Sequence, residues 1–395
     1  MKIAVFTNLY PPFARGGAEI VTAEVVKQLI KIGHQVTVIT TAPKKALVNK
    51  KFSVSEESGA KVFRIYPLNL YYYLDAKKYP KIWRLFWHVN NIFNWHVTRR
   101  VKKILKDEGV TAVISANLMG LSFLLPALWR KMKLPVVQIM HDVQLLHPSG
   151  LFMWGKNNNG VAAWFYQTIL KNIFGSPQAV IFPSEWLERE YTTRGFFVRS
   201  ARVVKANPQL FVNSFDQAPD DSHGYLKLLY VGQAEEHKGL FWLIENLKNI
   251  YDKEFKIDLI LMGETGDKKR VYDSVKDDKR FAVYERLSQD EVEAKYRDAS
   301  LLVMPSLCLE NSPLTIQRAL SLGTPVLASR VGGVPELVSE DINGWMFEAG
   351  NGVEFKERLL KITPEQVGGM RKNIKENYVP VDIAVYCQEL VSLLE

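Results

Sequence analysis

Residues 2–41 read KIAVFTNLYPPFARGGAEIVTAEVVKQLIKIGHQVTVITT, and this stretch decides the fold. The apolar run over 2–7 ends in Asn8-Leu9-Tyr10-Pro11-Pro12, where proline stops a strand because it lacks the N–H that a ladder needs. Beyond Arg15-Gly16-Gly17-Ala18-Glu19, the residues Ile20, Ala23, Val26, Leu29 and Ile30 recur at helical spacing. Gly33 closes that helix at its C-terminal cap, and the β-branched run 35–41 begins the next strand. Strand, helix and strand in this order make a βαβ unit, which predicts a parallel sheet.

Working outward, the runs 110–115, 135–140 and 179–183 are short and β-branched, with helical patterns between them, as buried parallel strands should be. The same grammar restarts at 226–231, with a loop from Gly232 and a helical pattern over 240–250. Further strands are predicted at 256–262, 281–284, 301–305 and 325–329. Ser288 with Glu291 forms a capping box that opens a helix to about Ala299, and 383–394 reads as an amphipathic helix. The Asn, Asp, Ser and Pro-rich segment 206–224 is the expected linker between two doubly wound α/β domains.

Composition agrees with two real cores. The chain has 395 residues, 47% apolar and 24% charged, which excludes both a single small module and a disordered chain. Its longest nearly unbroken apolar stretch, 118–129, contains Gly120 and Pro126 and is too short for the ~18–20 residues that span a bilayer. Residues 1–10 read as a first strand rather than a secretory signal. Cys308 and Cys387 provide neither a disulfide framework nor metal spacing, so a cytoplasmic location is expected. Charge is divided unevenly: residues 1–205 carry 29 Lys and Arg against 11 Asp and Glu, whereas the remainder carries 22 against 31. A basic half points to a phosphorylated substrate or an anionic membrane surface. Nucleic acid is excluded by the absence of zinc-finger spacing, an RNP-like aromatic signature or a basic recognition helix.

Ligands of open α/β sheets bind outside the carboxyl ends of the strands, so the loops there carry the candidate chemistry. Gly16-Gly17 opens a helix whose N-terminal amides suit an anion, or forms an ordinary turn. His141-Asp142 follows a buried strand, where a polar pair can bond sugar hydroxyls or merely be satisfied in place. In Gly232-Gln233-Ala234-Glu235-Glu236-His237-Lys238-Gly239, Lys238 either neutralises a phosphate or is an exposed lysine. The richest loop is 306–314, with Glu310 followed by Asn311, Ser312, Pro313 and Leu314. Ser312 and Pro313 are predicted at the cap and first turn of a helix, which places a carboxylate beside exposed N–H donors, as a nucleotide sugar requires.

These motifs, in this order, resemble the retaining GT-B glycosyltransferases of the group 1, family 4 type. The resemblance runs from Tyr10-Pro11-Pro12 and Gly33-His34-Gln35-Val36-Thr37-Val38 through Glu310-Asn311-Ser312-Pro313-Leu314 and Gly323-Thr324-Pro325-Val326 to Gly332-Gly333-Val334-Pro335-Glu336. It implies two Rossmann-like domains facing across a cleft: an acceptor domain of residues 1–205 plus a returning helix at 380–395, and a donor domain of residues 206–379. Gly16 and Gly17 would face the donor diphosphate, His141 would contact the transferred sugar, and Lys238 would bind the diphosphate. Glu310 would hold sugar hydroxyls, assisted by Asn311, Ser312, Pro313, Leu314 and Thr315, while Gly232, Gln233 and Gly263 would also border the donor.

Two positions depart from the family pattern. Gln233 stands where the resemblance calls for a cation, and Arg318 stands where it calls for the carboxylate that holds the ribose. Either Arg318 takes over the missing cation's role, or it pairs with another acid. No Asp-x-Asp follows an apolar strand, so no metal and no cofactor are expected beyond the nucleotide-sugar substrate. The acceptor implied is a lipid-linked or surface glycan. Aromatic and basic residues mix densely over 66–106, either as an anionic-membrane surface or as helix core with a solvated face. A nucleotide-sugar 2-epimerase and a non-catalytic nucleotide-binding scaffold are the alternatives.

Overall fold

The computed structural model describes residues 1–13, 16–47, 52–209 and 225–395. Arg15 and most of the expected linker, from residue 210 onward, lie outside the described residues. The chain divides into unit 1, made of Met1–Leu151, Asn157–Leu210 and Asp382–Glu395, and unit 2, made of Phe152–Lys156 and Phe211–Val381.

Unit 1 runs β1 (Lys2–Phe6), α1 (Gly17–Lys31), β2 (Gln35–Thr41), β3 (Phe52–Glu57), β4 (Ala60–Ile65), α2 (Lys81–Ile92), α3 (Trp95–Asp107), β5 (Ala112–Ser115), α4 (Leu125–Met132), β6 (Val136–Ile139), α5 (Val161–Phe174), β7 (Ala179–Phe182), α6 (Glu185–Thr192) and β8 (Ala201–Val204). Its strands lie in the order β3-β4-β2-β1-β5-β6-β7-β8, parallel except for β3 against β4. The opening βαβ unit is present: Ile3 lies opposite Val36, and Val5 opposite Val38. Gly33 follows the cap residue Ile32 at φ +93, a left-handed conformation suited to glycine.

Unit 2 runs β9 (Leu226–Ala234), α7 (Leu240–Lys248), β10 (Phe255–Gly266), α8 (Lys268–Val275), β11 (Phe281–Glu285), α9 (Gln289–Asp298), β12 (Leu301–Met304), α10 (Leu314–Ser321), β13 (Val326–Ser329), β14 (Gly344–Phe347), α11 (Gly352–Lys361) and α12 (Pro364–Asn377). Its six strands are all parallel, in the order β11-β10-β9-β12-β13-β14. Both faces of this sheet are covered. Leu228, Tyr230, Leu259, Leu261 and Val303 pack into one core, and their neighbours Leu229, Ile260, Leu302 and Met304 into another. This explains why the strands read as continuous apolar runs rather than alternating ones. The capping box of Ser288 and Glu291 opens α9.

In both units the strand order reverses direction beside the first strand, between β1 and β5 and between β9 and β12. Loops leaving these strands diverge there and open a crevice at the carboxyl edge. After unit 2 the chain ends in α13 (Ile383–Ser392), which packs on α1 and buries Tyr386, Cys387 and Leu390. Lys205 pairs with Glu389 at the same place. Among the described residues, no helix is long and apolar enough to cross a membrane.

The aromatic and basic stretch divides between the two readings of it. Trp87 and Val97 are core, whereas Trp83, Phe86 and Phe93 are exposed.

Candidate functional site

In unit 2 the loops after β9 and β12 close on each other at the strand-order reversal. His237 O accepts from Leu307 N at 2.9 Å. Gly239 adopts φ +72, and a Cβ there would lie 1.7 Å from Pro305 O, so only glycine permits this approach. The approach brings Lys238 Nζ to 2.8 Å from Glu310 Oε1. Ser306 Oγ donates to the same oxygen at 2.8 Å, and Cys308 Sγ lies 3.7 Å away. Behind the carboxylate, Gly332 at φ +56 leaves no room for a Cβ, which would sit 2.0 Å from Glu310 O. Gly333 N donates to that carbonyl at 2.8 Å.

Electrostatics keep the pair ionised. Burial pushes the Glu310 carboxyl upward, but Lys238 and Ser306 outweigh it and hold the group below its usual value. Burial likewise opposes the Lys238 charge, and Glu310 more than restores it. Burial with Glu310 beside it drives the Cys308 thiol up to about 12, so it stays protonated. The crevice therefore holds a fixed cation next to a carboxylate that can accept hydroxyl bonds.

The other residues expected in this unit divide between the crevice and its flank. Gly232 and Gln233 end β9, and Gly263, at φ +74, lies in the irregular register of β10 beside them. Tyr230 Oη bonds Gln233 O at 2.9 Å, which fixes that turn. Asn311 and Ser312 lead to Pro313, which is the cap of α10; the sequence expectation of Ser312 at the cap is off by one residue. The Ser312 hydroxyl instead accepts from Gln317 Nε2 at 2.6 Å. Leu314 and Thr315 form the first turn, where backbone N–H groups have no acceptor inside the helix. Arg318 lies one turn further on and donates to Glu293 of α9 at 2.6 Å. Pairing with an acid is thus the arrangement present, and Glu293 is also held by Arg297 at 3.0 Å.

In unit 1, Gly16 caps α1, with Gly17 as the first helical residue. The N–H of Gly16 already donates to Glu19 Oε2 at 2.8 Å, so an anion arriving there displaces that carboxylate. His141 follows β6, and burial pushes its pKa down to about 4. Its neighbour Asp142 is moved the other way, to about 7, by burial first and by Glu19 in addition, against bonds from Gln144 N and Asn117. Asn117 Nδ2 and Gln144 N each lie 2.8 Å from the Asp142 carboxylate. Near neutral pH this edge thus presents a neutral imidazole beside a carboxyl poised to gain or lose a proton.

Sequence reasoning named Asp142 only as the second half of a polar pair with His141, and Ser306 only as the start of the loop 306–314, with no role of its own for either. Ser306 had one available signal, its place directly after an apolar strand and four residues before Glu310. Asp142 had its strand-end position, but its shifted pKa depends on burial that only the fold provides. Among the described residues, no three His, Cys, Asp or Glu side chains form a cluster able to hold a metal.

Two family models match this chain. Residues 226–363 match Glycosyl transferases group 1, and residues 15–204 match Glycosyltransferase Family 4. The chain belongs to the group 1 and family 4 glycosyltransferases. A 42.6 kDa protein in the cps region of Klebsiella pneumoniae is 25% identical to this glycosyltransferase over 85% of this chain and 87% of its own length. The lipopolysaccharide 1,2-N-acetylglucosaminetransferase of Salmonella typhimurium is 27% identical over 42% of this chain and 48% of its own. Among solved structures, Anabaena HepE in complex with UDP superposes with a TM-score of 0.69 at 16% identity, over 100% of this chain and 99% of that one. The GT-B fold of the glycosyltransferase agrees with that likeness.

Proposed function

We propose that this glycosyltransferase moves a sugar from a nucleotide-diphosphate sugar to a lipid-linked or surface-glycan acceptor at the cytoplasmic face of a membrane. The single observation that carries this reading is the Lys238–Glu310 pair, which sets a cation suited to a diphosphate against a carboxylate suited to sugar hydroxyls. HepE, of the same fold, binds UDP, and the Salmonella relative is named for a lipopolysaccharide acceptor, which supports both halves of the proposal. On this reading the donor enters the crevice of unit 2, Lys238 turns from Glu310 to the pyrophosphate, and Glu310 accepts from the sugar.

The anomeric carbon–oxygen bond to phosphate breaks, and a bond to the acceptor oxygen forms on the same face. The acceptor's proton passes to the departing phosphate oxygen, and the configuration is retained. Lys238 and backbone amides at the start of α10 stabilise the developing phosphate charge, so turnover needs no divalent ion. The experiment is product analysis with a panel of nucleotide sugars and a lipid-linked or glycan acceptor, with and without EDTA. A glycosylated acceptor of retained configuration, formed undiminished in EDTA, is expected. An epimerised donor, or nucleotide binding with neither product, overturns the transferase reading, and loss on chelation restored by magnesium overturns metal independence alone.

A further inference from the structure

Two helices of unit 1 face the wrong way for a water-soluble surface. On α2, Ile82, Leu85, Phe86 and Val89 each leave at least half of their area exposed. On α5, Val161, Trp164 and Phe165 do the same, with Ile169 continuing the row at spacings of three and four. The helices are neighbours on shared supports. Phe123 N bonds Asn91 O at the end of α2, and the Phe123 ring meets Phe174 at the end of α5, with centroids 5.6 Å apart. Gln167 of α5 bonds Leu146 O, and His88 of α2, whose pKa is lowered first by burial and then by Arg84, also feels His147, the residue after Leu146. Rows of exposed large apolar side chains on two helices that share supports mark a contact surface.

Charge selects the contact. Residues 76–106 hold nine Lys and Arg and no Asp or Glu, and residues 143–184 hold two and none. Arg84 on α2 and Arg99, Lys102 and Lys103 on α3 are exposed. A second copy of this chain would bring the same positive charge against itself, whereas an anionic bilayer takes the rings and aliphatic chains at headgroup depth and the cations at its surface.

We infer that the outward faces of α2 and α5 together form a docking surface for an anionic phospholipid bilayer, with α5 as an inserting element in its own right. This rests on the reading of the protein as a transferase for lipid-linked acceptors, and it adds to the aromatic and basic stretch a second helix that begins 80 residues after α2 does and carries a single lysine, Lys171.

The test is flotation of the full-length protein on vesicles of phosphatidylcholine alone or with about 30 mol % phosphatidylglycerol. Wild type should float with the anionic vesicles at low salt and be released at about 0.5 M salt. Trp164→Ser/Phe165→Ser and Leu85→Ser/Phe86→Ser alter exposed side chains only, so circular dichroism should stay native. Each pair should cut partitioning at least about 10-fold, or about 1.4 kcal/mol. Failure of wild type to float, or an α5 variant that floats like wild type, overturns the proposal. So does a wild-type dimer, seen by sedimentation, that either variant disperses while flotation is unchanged. Flotation needs no turnover: a floating protein without transfer counts against the transferase reading, and an active protein that does not float counts against this surface.

Discussion

Lys238 and Glu310 are two of the most legible residues in the chain, because Glu310 is the lone charge in the loop 306–314 after an apolar strand and Lys238 is the lysine that ends the charged loop 235–238 before Gly239. Their mutual bond was not legible, since it depends on how closely two loops approach. Glu310→Gln keeps the volume but strands Lys238 without its counter-charge and offers sugar hydroxyls a weaker acceptor. Turnover should fall at least about 10-fold, near 1.4 kcal/mol of transition-state stabilisation, in steady-state assays of a folded variant. Arg318 was legible as an oddity but not as a partner of Glu293, which is 25 residues distant in sequence. Arg318→Ala should lower the stability of unit 2 by about 2–3 kcal/mol while leaving the ratio of nucleoside diphosphate to nucleoside affinity unchanged. Calorimetric titration of both ligands measures that ratio, and a selective loss of the diphosphate would show that the guanidinium reaches phosphate. His141 and Asp142 make a third case, in which adjacent groups oppose each other. With its folded pKa near 4, His141 loses stability as pH falls from about 6.5 towards 4, because only the unfolded chain takes up the proton. With its folded pKa near 7, Asp142 loses stability as pH rises from about 4 towards 7, because the folded chain keeps a proton that the unfolded one releases. Chemical denaturation from pH 4.5 to 6.5 should therefore give His141→Ala a slope more negative than wild type, and Asp142→Ala one more positive, each by up to about 1.4 kcal/mol per pH unit.

The central strands and the edge strand β11, expected at 281–284, were readable, whereas β4 and the edge strands β3, β8 and β14 were not. The strands β1, β5, β6, β9, β12 and β13 are sandwiched between layers, so their apolar runs stand out from the chain around them. The strand β3 reads FSVSEE and is only half buried, and β8 reads ARVV with most of its side chains in water. A strand that satisfies solvent on one side needs no apolar run and guards its edge with charge instead. The capping box of α9 was visible because its two partners are three residues apart, whereas the start of α10 was displaced by one because proline serves as cap and as turn equally well. Turn chemistry at Gly239 belongs to this scale too. Gly239→Ala puts a Cβ into Pro305 O and a side chain into the left-handed region, so the loops after β9 and β12 must part. The expected cost is about 2–3 kcal/mol of unit 2 stability, together with loss of the Lys238 contact. Thermal unfolding and donor titration on the same sample report the two.

At the scale of the molecule, the two doubly wound sheets were legible from the restart of one grammar at residue 226, and the charge division along the chain was a matter of counting. Counting does not show that unit 1 is discontinuous and takes its last helix from beyond unit 2; the family resemblance, not the composition, implied a returning helix at 380–395. Removing residues 382–395 uncovers α1 and deletes the buried Tyr386 and Leu390 together with the partner of Lys205. Unit 1 should lose more than about 4 kcal/mol by burial alone, and unit 2 should be unaffected. Hydrogen exchange that accelerates in β1 and β2 but not in β9 and β10 is the expected signature.

The same helix orders events during synthesis. Unit 1 emerges from the ribosome first, yet α13 follows only after every strand of unit 2 has been translated. Through that interval α1 waits with an uncovered apolar stripe, and the nascent first sheet is a surface for chaperones rather than a finished body. Unit 1 is therefore completed only once α13 has been made, and any product stopping short of residue 382 keeps an uncovered apolar stripe on the half that was translated earlier.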